Sequence, residues 1–184
     1  MRKGAIGAGM LMLALSACGG QVTDNAAKTA DAATTINLTD TPEQATAGQF
    51  VAVSNTAMSL TGDATVKPDG ISFALDQSYV TGPVVASTAG EPYTSTDRWV
   101  DLFGVMPDTP VEIRPVTSQQ VGAKAVNGGL CGAEKVGHIA LVRKNVGTPS
   151  EMLLMAAFKG AAAPGTAASP NDFCGTFNYA PATT

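Results

Sequence analysis

Across residues 49–180 apolar and polar positions alternate with a period of two, and turn-forming residues break the alternation at short intervals. This is the pattern of half-buried strands in an antiparallel sheet, because successive side chains of a strand point to opposite faces. Phe50-Val51-Ala52-Val53 lies within residues 49–54, and Met58 and Leu60 alternate with polar neighbours in the same manner. Thr65 and Val66 run into Lys67-Pro68-Asp69-Gly70, after which Ile71, Phe73 and Leu75 fall on one face. Proline presets the turn's φ and glycine accepts the reversed backbone that follows, so this stretch predicts a hairpin. Residues 80–87 form a β-branched run interrupted at Gly82-Pro83, which predicts an edge or bent strand, since proline cannot donate to a ladder. Val111, Ile113 and Val116 make a further strand that Pro115 places at an edge or a bulge. Residues 138–144, with Ile139 and Leu141, and residues 173–179 complete the set.

Two segments contest an all-β reading. Thr96 and Asp97 precede Arg98-Trp99-Val100-Asp101-Leu102-Phe103 and then Gly104, which predicts a short helix with Trp99, Leu102 and Phe103 on one face and a glycine stop. Thr148-Pro149-Ser150-Glu151 has the form of a capping box ahead of the apolar residues 152–158. Residue preference there favours helix. The apolar run is only seven residues long, however, and residues 146–150 have hairpin-loop length and composition, which favours strand. The pattern as a whole predicts a mainly β fold, a small antiparallel β-sandwich or barrel with one short helix, with α+β as the alternative.

The N-terminus follows a different rule. Arg2 and Lys3 precede an apolar run over residues 5–15, and small residues Ser16 and Ala17 close it ahead of Cys18. That is the three-part layout of an export signal, and the run falls short of the roughly 20 apolar residues that span a bilayer. Leu15-Ser16-Ala17-Cys18 resembles the lipobox of bacterial lipoproteins. The resemblance implies that residues 1–17 are removed, and that Cys18 is lipidated on its thiol and acylated on its new amine. Gly19 stands where an Asp would retain such proteins in the inner membrane, so the periplasmic face of the outer membrane is the expected address. A single acyl chain holds only marginally at about 0.8 kcal/mol per buried methylene, hence the need for several.

Residues 18–48 are rich in Ala, Thr, Asp and Gln and poor in large apolar residues, so they read as a lipidated cysteine and flexible tether. About thirty flexible residues have an r.m.s. reach of roughly 30 Å, enough to lift a domain clear of the headgroups. Residues 49–180 then form a single β-rich domain, and 181–184 a tail.

Charge narrows the choice of partner. Of 11 basic residues only Arg2 and Lys3 lie in the signal, which leaves 9 against 15 acidic ones and a net charge of −6 after its removal. Such a chain is poorly suited to nucleic acid, which rewards clustered Lys and Arg. The expected partners are the membrane, through the N-terminal lipid, and another envelope protein. Of the three cysteines, Cys131 and Cys174 remain once Cys18 takes the lipid. An even pair in an oxidising compartment predicts a disulfide, and closing so long a loop is worth roughly 4 kcal/mol in the chain-entropy model.

Catalytic signatures are missing from the sequence. His138, the only histidine, has no neighbouring nucleophile or second ligand in the chain, and Gly-x-Ser-x-Gly, Ser-x-x-Lys and His-Glu-x-x-His do not occur. Asp97 and Asp101 would share a face if the short helix extends over both, but Arg98 and water are the expected partners. Trp99 reads as a core anchor. No catalytic, cofactor-binding or metal-binding residue is assigned, and the expected role is a non-catalytic binding or structural module. A small hydrolase would need convergent polar groups in a pocket, which sequence alone does not reveal. In size, anchor, disulfide and acidity the chain is also similar to small lipid-anchored β-barrel inhibitors of c-type lysozymes. Of their Tyr-x-x-x-Lys-Gly motif, Met155 to Gly160 keeps only Lys159-Gly160, and their Ser-Gly-x-x-Tyr motif does not occur. That resemblance implies an inhibitor of a basic lytic enzyme as an alternative role.

Overall fold

The computed structural model describes residues 46–183. Cys18, the signal and residues 19–45 lie outside the described residues.

The strands arise where the alternation is cleanest. β1 (Gly48–Ala52) buries Phe50 between exposed neighbours. β2 (Ala64–Lys67) and β3 (Gly70–Phe73) flank the Pro68-Asp69 turn, with Val66 opposite Ile71 and Lys67 opposite Gly70. β4 (Gln77–Thr81), β5 (Val85–Thr88), β6 (Pro110–Val121), β7 (Val136–Lys144), β8 (Met152–Lys159) and β9 (Phe173–Pro181) follow. Every pairing is antiparallel; β4 pairs with β6 and β9 returns to β1, so eight strands close an up-and-down barrel. The ninth strand, β5, continues β4 past the Gly82-Pro83 bend along the same β6 edge.

The predicted bent strand is thus the β4–β5 pair. Pro115 lies not on an edge but inside β6, which has partners on both sides, and its missing N–H is accommodated by an adjacent bulge. Val80 faces Ser118 while Thr81 faces Val116, leaving Thr117 as the extra residue. The Gly82 amide donates to the Pro115 carbonyl at 2.8 Å across this junction.

Among the described residues there are two short α-helices where the pattern suggested one. Met58 and Leu60 belong to α1 (Asn55–Leu60), not to a strand, because Ser54 caps it by accepting from the Ala57 amide at 3.2 Å. α2 (Trp99–Phe103) is the predicted helix, ended by Gly104 in the left-handed region. The contested residues 152–158 are strand. Thr148 and Glu151, whose spacing resembled a capping box, shape the β7–β8 turn instead: Thr148 Oγ1 donates to the Asn145 carbonyl, and Glu151 accepts from the Gly147 amide. The domain also reaches further than the composition suggested. Thr46 is already buried against it, and the Ala182 amide donates to the Gln49 carbonyl beyond the end of β9.

Two apolar layers result. Phe50, Val66, Ile71, Phe73, Tyr79, Ile139, Leu141, Leu153, Met155, Phe177 and Tyr179 come from seven strands and fill the barrel interior. The alternate residues of β6, β7 and β8, namely Val111, Ile113, Ala140, Val142, Leu154, Ala156 and Phe158, point outward beneath α2. There Trp99 stacks on Phe103 at 5.7 Å and meets Phe158 edge-on at 5.6 Å, so it is the core anchor that the sequence suggested. With both faces covered, β7 and β8 are apolar almost throughout, which removed the period-two signal from residues 152–158.

β7 carries a second irregularity at Gly137, between Val136 and His138. A Cβ at this position would overlap the Gly160 carbonyl. Gly137→Ala should therefore lower the unfolding free energy by about 1–3 kcal/mol in chemical denaturation; unchanged stability would mean that the two backbones do not approach so closely.

Candidate functional site

The barrel's two ends differ chemically, and its candidate sites lie there and on the outer wall. The antiparallel registers place α1, residues 122–135 and residues 160–172 at one end, here termed lower. The start of β1, the β2–β3 and β7–β8 turns and the end of β9 form the upper end.

At the lower end, Cys131 and Cys174 are bonded, with Cα atoms 5.1 Å apart, as their pairing in an oxidising compartment predicted. The bridge ties the long β6–β7 loop to the start of β9. Leu130 from the same loop is buried in the interior layer, and its amide donates to the Tyr79 hydroxyl at 3.3 Å. Tyr79 in turn donates to Gln77 Oε1 at 3.0 Å, and burial raises its phenol pKa. Tyr179 is buried more deeply, hydrogen-bonded to Thr61 Oγ1 at 2.8 Å, and its pKa is raised further by desolvation. Both phenols stay neutral and close the interior as fixed hydrogen-bonding groups.

The upper end carries the residues that the strand pattern missed. Arg114 is wholly buried, and Nη2 donates to Glu112 Oε2 at 2.9 Å and to Thr46 Oγ1 at 3.0 Å. Its Nη1 donates to the Lys67 carbonyl at 2.7 Å, and Thr46 Oγ1 donates to Glu112 Oε2 at 2.7 Å. The clue was present in the alternation Val111-Glu112-Ile113-Arg114, in which the charged residues occupy the inward positions of β6. Arg143 lies over the Phe50 ring, 5.5 Å from its centroid, and pairs with Glu151; burial draws its pKa down while the Glu112 charge opposes the shift. The buried Glu112–Arg114 pair contributes little net stability, yet losing one partner strands the other. It is built to hold the upper turns in register.

His138 is the chain's only imidazole and faces outward between Pro115 and Phe158 in register. It is 8% exposed, its Nδ1 is buried without a hydrogen-bond partner, and desolvation lowers its pKa from 6.5. With no group to orient Nδ1, it is not held as the base of a catalytic triad is. The depression of about 400 Å³ beside it is lined by Pro115, Lys135, Gly137 and Gly160.

The remaining positions singled out by sequence do not converge. Asp97 precedes α2 rather than lying on it, so it does not share a helix face with Asp101. Its carboxylate accepts from Thr94 Oγ1 at 2.6 Å and Thr96 Oγ1 at 2.9 Å, which lowers its pKa. Lys159 sits beside the disulfide, 3.8 Å from Glu134. Among the described residues no three His, Cys, Asp or Glu side chains are grouped to hold a metal ion.

No protein-family model matches the chain, and neither the curated proteins nor the solved structures contain a match.

The histidine generates a pH prediction with a fixed sign. A folded-state pKa below 6.5 means that the unfolded chain binds the proton more readily, so stability present above pH 6.5 is lost as pH falls below it. Denaturant midpoints should drop between pH 7 and about pH 5.5, above the carboxylate range. His138→Gln should flatten that segment of the profile; an equally steep profile in the variant would show that the imidazole is not buried as described.

Proposed function

We propose that this protein is a lipid-anchored envelope protein whose barrel acts as a non-catalytic binding module, held by acyl chains on Cys18 at the periplasmic face of the outer membrane. The observation that carries the reading is the filled interior. Phe73 packs edge-on against Tyr79 at 5.9 Å and stacks on Tyr179 at 6.3 Å, where a ligand-carrying barrel would keep open volume. Recognition therefore falls to the exterior.

The lower end is the surface best suited to a protein partner. It joins α1 and two loops over a covalent staple, which limits the ordering entropy lost on docking. Met58, 52% exposed, and Val126, 41% exposed, present apolar contact area there. The partner in this reading is another envelope protein.

The test is photocrosslinking in intact cells, with a photoreactive residue replacing Met58, Val126 or, on the barrel wall, Val80. Met58 and Val126 should capture the same protein reproducibly, while Val80 captures none. Capture at Val80 alone, or at no position while the protein is anchored and folded, contradicts a binding module that engages through its lower end.

A further inference from the structure

The two large apolar side chains most exposed among the described residues, Met106 at 70% and Val146 at 64%, both lie at the upper end. Met106 follows α2, and Val146 sits at the tip of the β7–β8 turn. They flank one cleft of about 310 Å³, which Val105, Met106, Arg143, Lys144 and Asn145 help to line. Lys144 Nζ donates to the Gly104 carbonyl at 2.9 Å, so the end of β7 and the loop after α2 are held together as one rim.

The same rim adjoins the point where the chain arrives from its N-terminus. Phe50 of β1 lies under Arg143, the residue before Lys144, and Thr46 is fixed to Glu112 and Arg114 within this end. Only residues 19–45 separate Cys18 from this junction. We infer that the upper rim is a membrane-contacting surface: Met106 and Val146 insert into the interfacial zone of the bilayer that holds the Cys18 lipid. This rests on the lipid-anchor reading above.

Charge and tether length support a bilayer as the occupant. Arg143 is paired with Glu151, and Asp108 lies in the same loop as Met106, so the rim is near neutral. Insertion therefore depends on the apolar side chains, with Lys144 placed to keep its ammonium at headgroup level. The tether that the sequence leads us to expect, with a reach of roughly 30 Å, would hold the domain at an effective concentration of about millimolar beside the surface. A contact too weak to recruit a free protein is sufficient to orient one that is already anchored.

The test uses nitroxide labels on Met106→Cys, Val146→Cys and, at the lower end, Val126→Cys, in the full lipidated chain reconstituted into vesicles of phosphatidylethanolamine and phosphatidylglycerol. Electron paramagnetic resonance should show oxygen accessibility exceeding that of a water-soluble nickel complex severalfold at 106 and 146, with the reverse at 126. Water-exposed labels at 106 and 146 overturn the inference. So do labels that are immobilised and closed to both relaxants, the mark of a protein partner, or spin–spin broadening, the mark of a second copy. Palmitate labelling separates the two readings. If Cys18 takes up none, the anchor reading fails, and the Cys18→Ser chain held by an N-terminal His tag on nickel-chelating lipid still decides the rim by the same accessibilities.

Discussion

The pairing of β1 with β9 is the contact on which the rest of the structure depends. Phe50, Val51 and Ala52 align with Pro181, Ala180 and Tyr179 and turn an eight-stranded meander into a closed ring. An open meander would expose two rows of unpaired amides and carbonyls; closure joins them and, among the described strands, leaves the short β5 with a single partner strand. It also encloses a fixed volume, which requires large side chains at the inward positions of every strand. Phe73, Tyr79, Phe177 and Tyr179 meet that requirement. The seam brings both termini of the domain to the upper end, where Thr46 joins the buried Glu112–Arg114 pair.

The strands that were legible in the sequence are those with one wet face or a clear breaker. Pro68-Asp69 announced the β2–β3 hairpin and Gly82-Pro83 the bend between β4 and β5, because both dipeptides act through local backbone geometry. α2 was legible from Trp99, Phe103 and the Gly104 stop. The ambiguous segment, residues 152–158, became β8 because a second apolar layer beneath α2 covers its outer face. That cover is a tertiary fact, and alternation cannot encode a strand buried on both sides.

Other features stayed hidden for different reasons. Met58 and Leu60 sit at the two-residue spacing of a strand face, but in α1 they fall on different faces, Met58 exposed and Leu60 packed against the interior layer; what decides for α1 is the Ser54 cap, whose effect depends on its φ and ψ. Thr148 to Glu151 carried a valid helix-start pattern that served a turn, since the same hydroxyl and carboxylate groups satisfy turn amides equally well. Of the candidate sites, the cysteine pair was legible from compartment and parity. The Glu112–Arg114 pair was written in plain alternation, but its inward direction emerged only with barrel closure. The upper rim joins loops about forty residues apart in the chain, around Met106 and Val146, and no local pattern links them.

The proposed binding role rests on the same closure. In that reading a filled barrel recognises through its ends, one stapled by Cys131–Cys174 and the other formed where the described residues begin. Native-state hydrogen exchange tests this most directly. If the ring is closed as described, β1 amides bonded across the seam to β9 exchange as slowly as those shared by β7 and β8, in a single cooperative opening. Seam amides that exchange orders of magnitude faster, while β7 and β8 stay protected, would make the domain an open sheet and contradict the account.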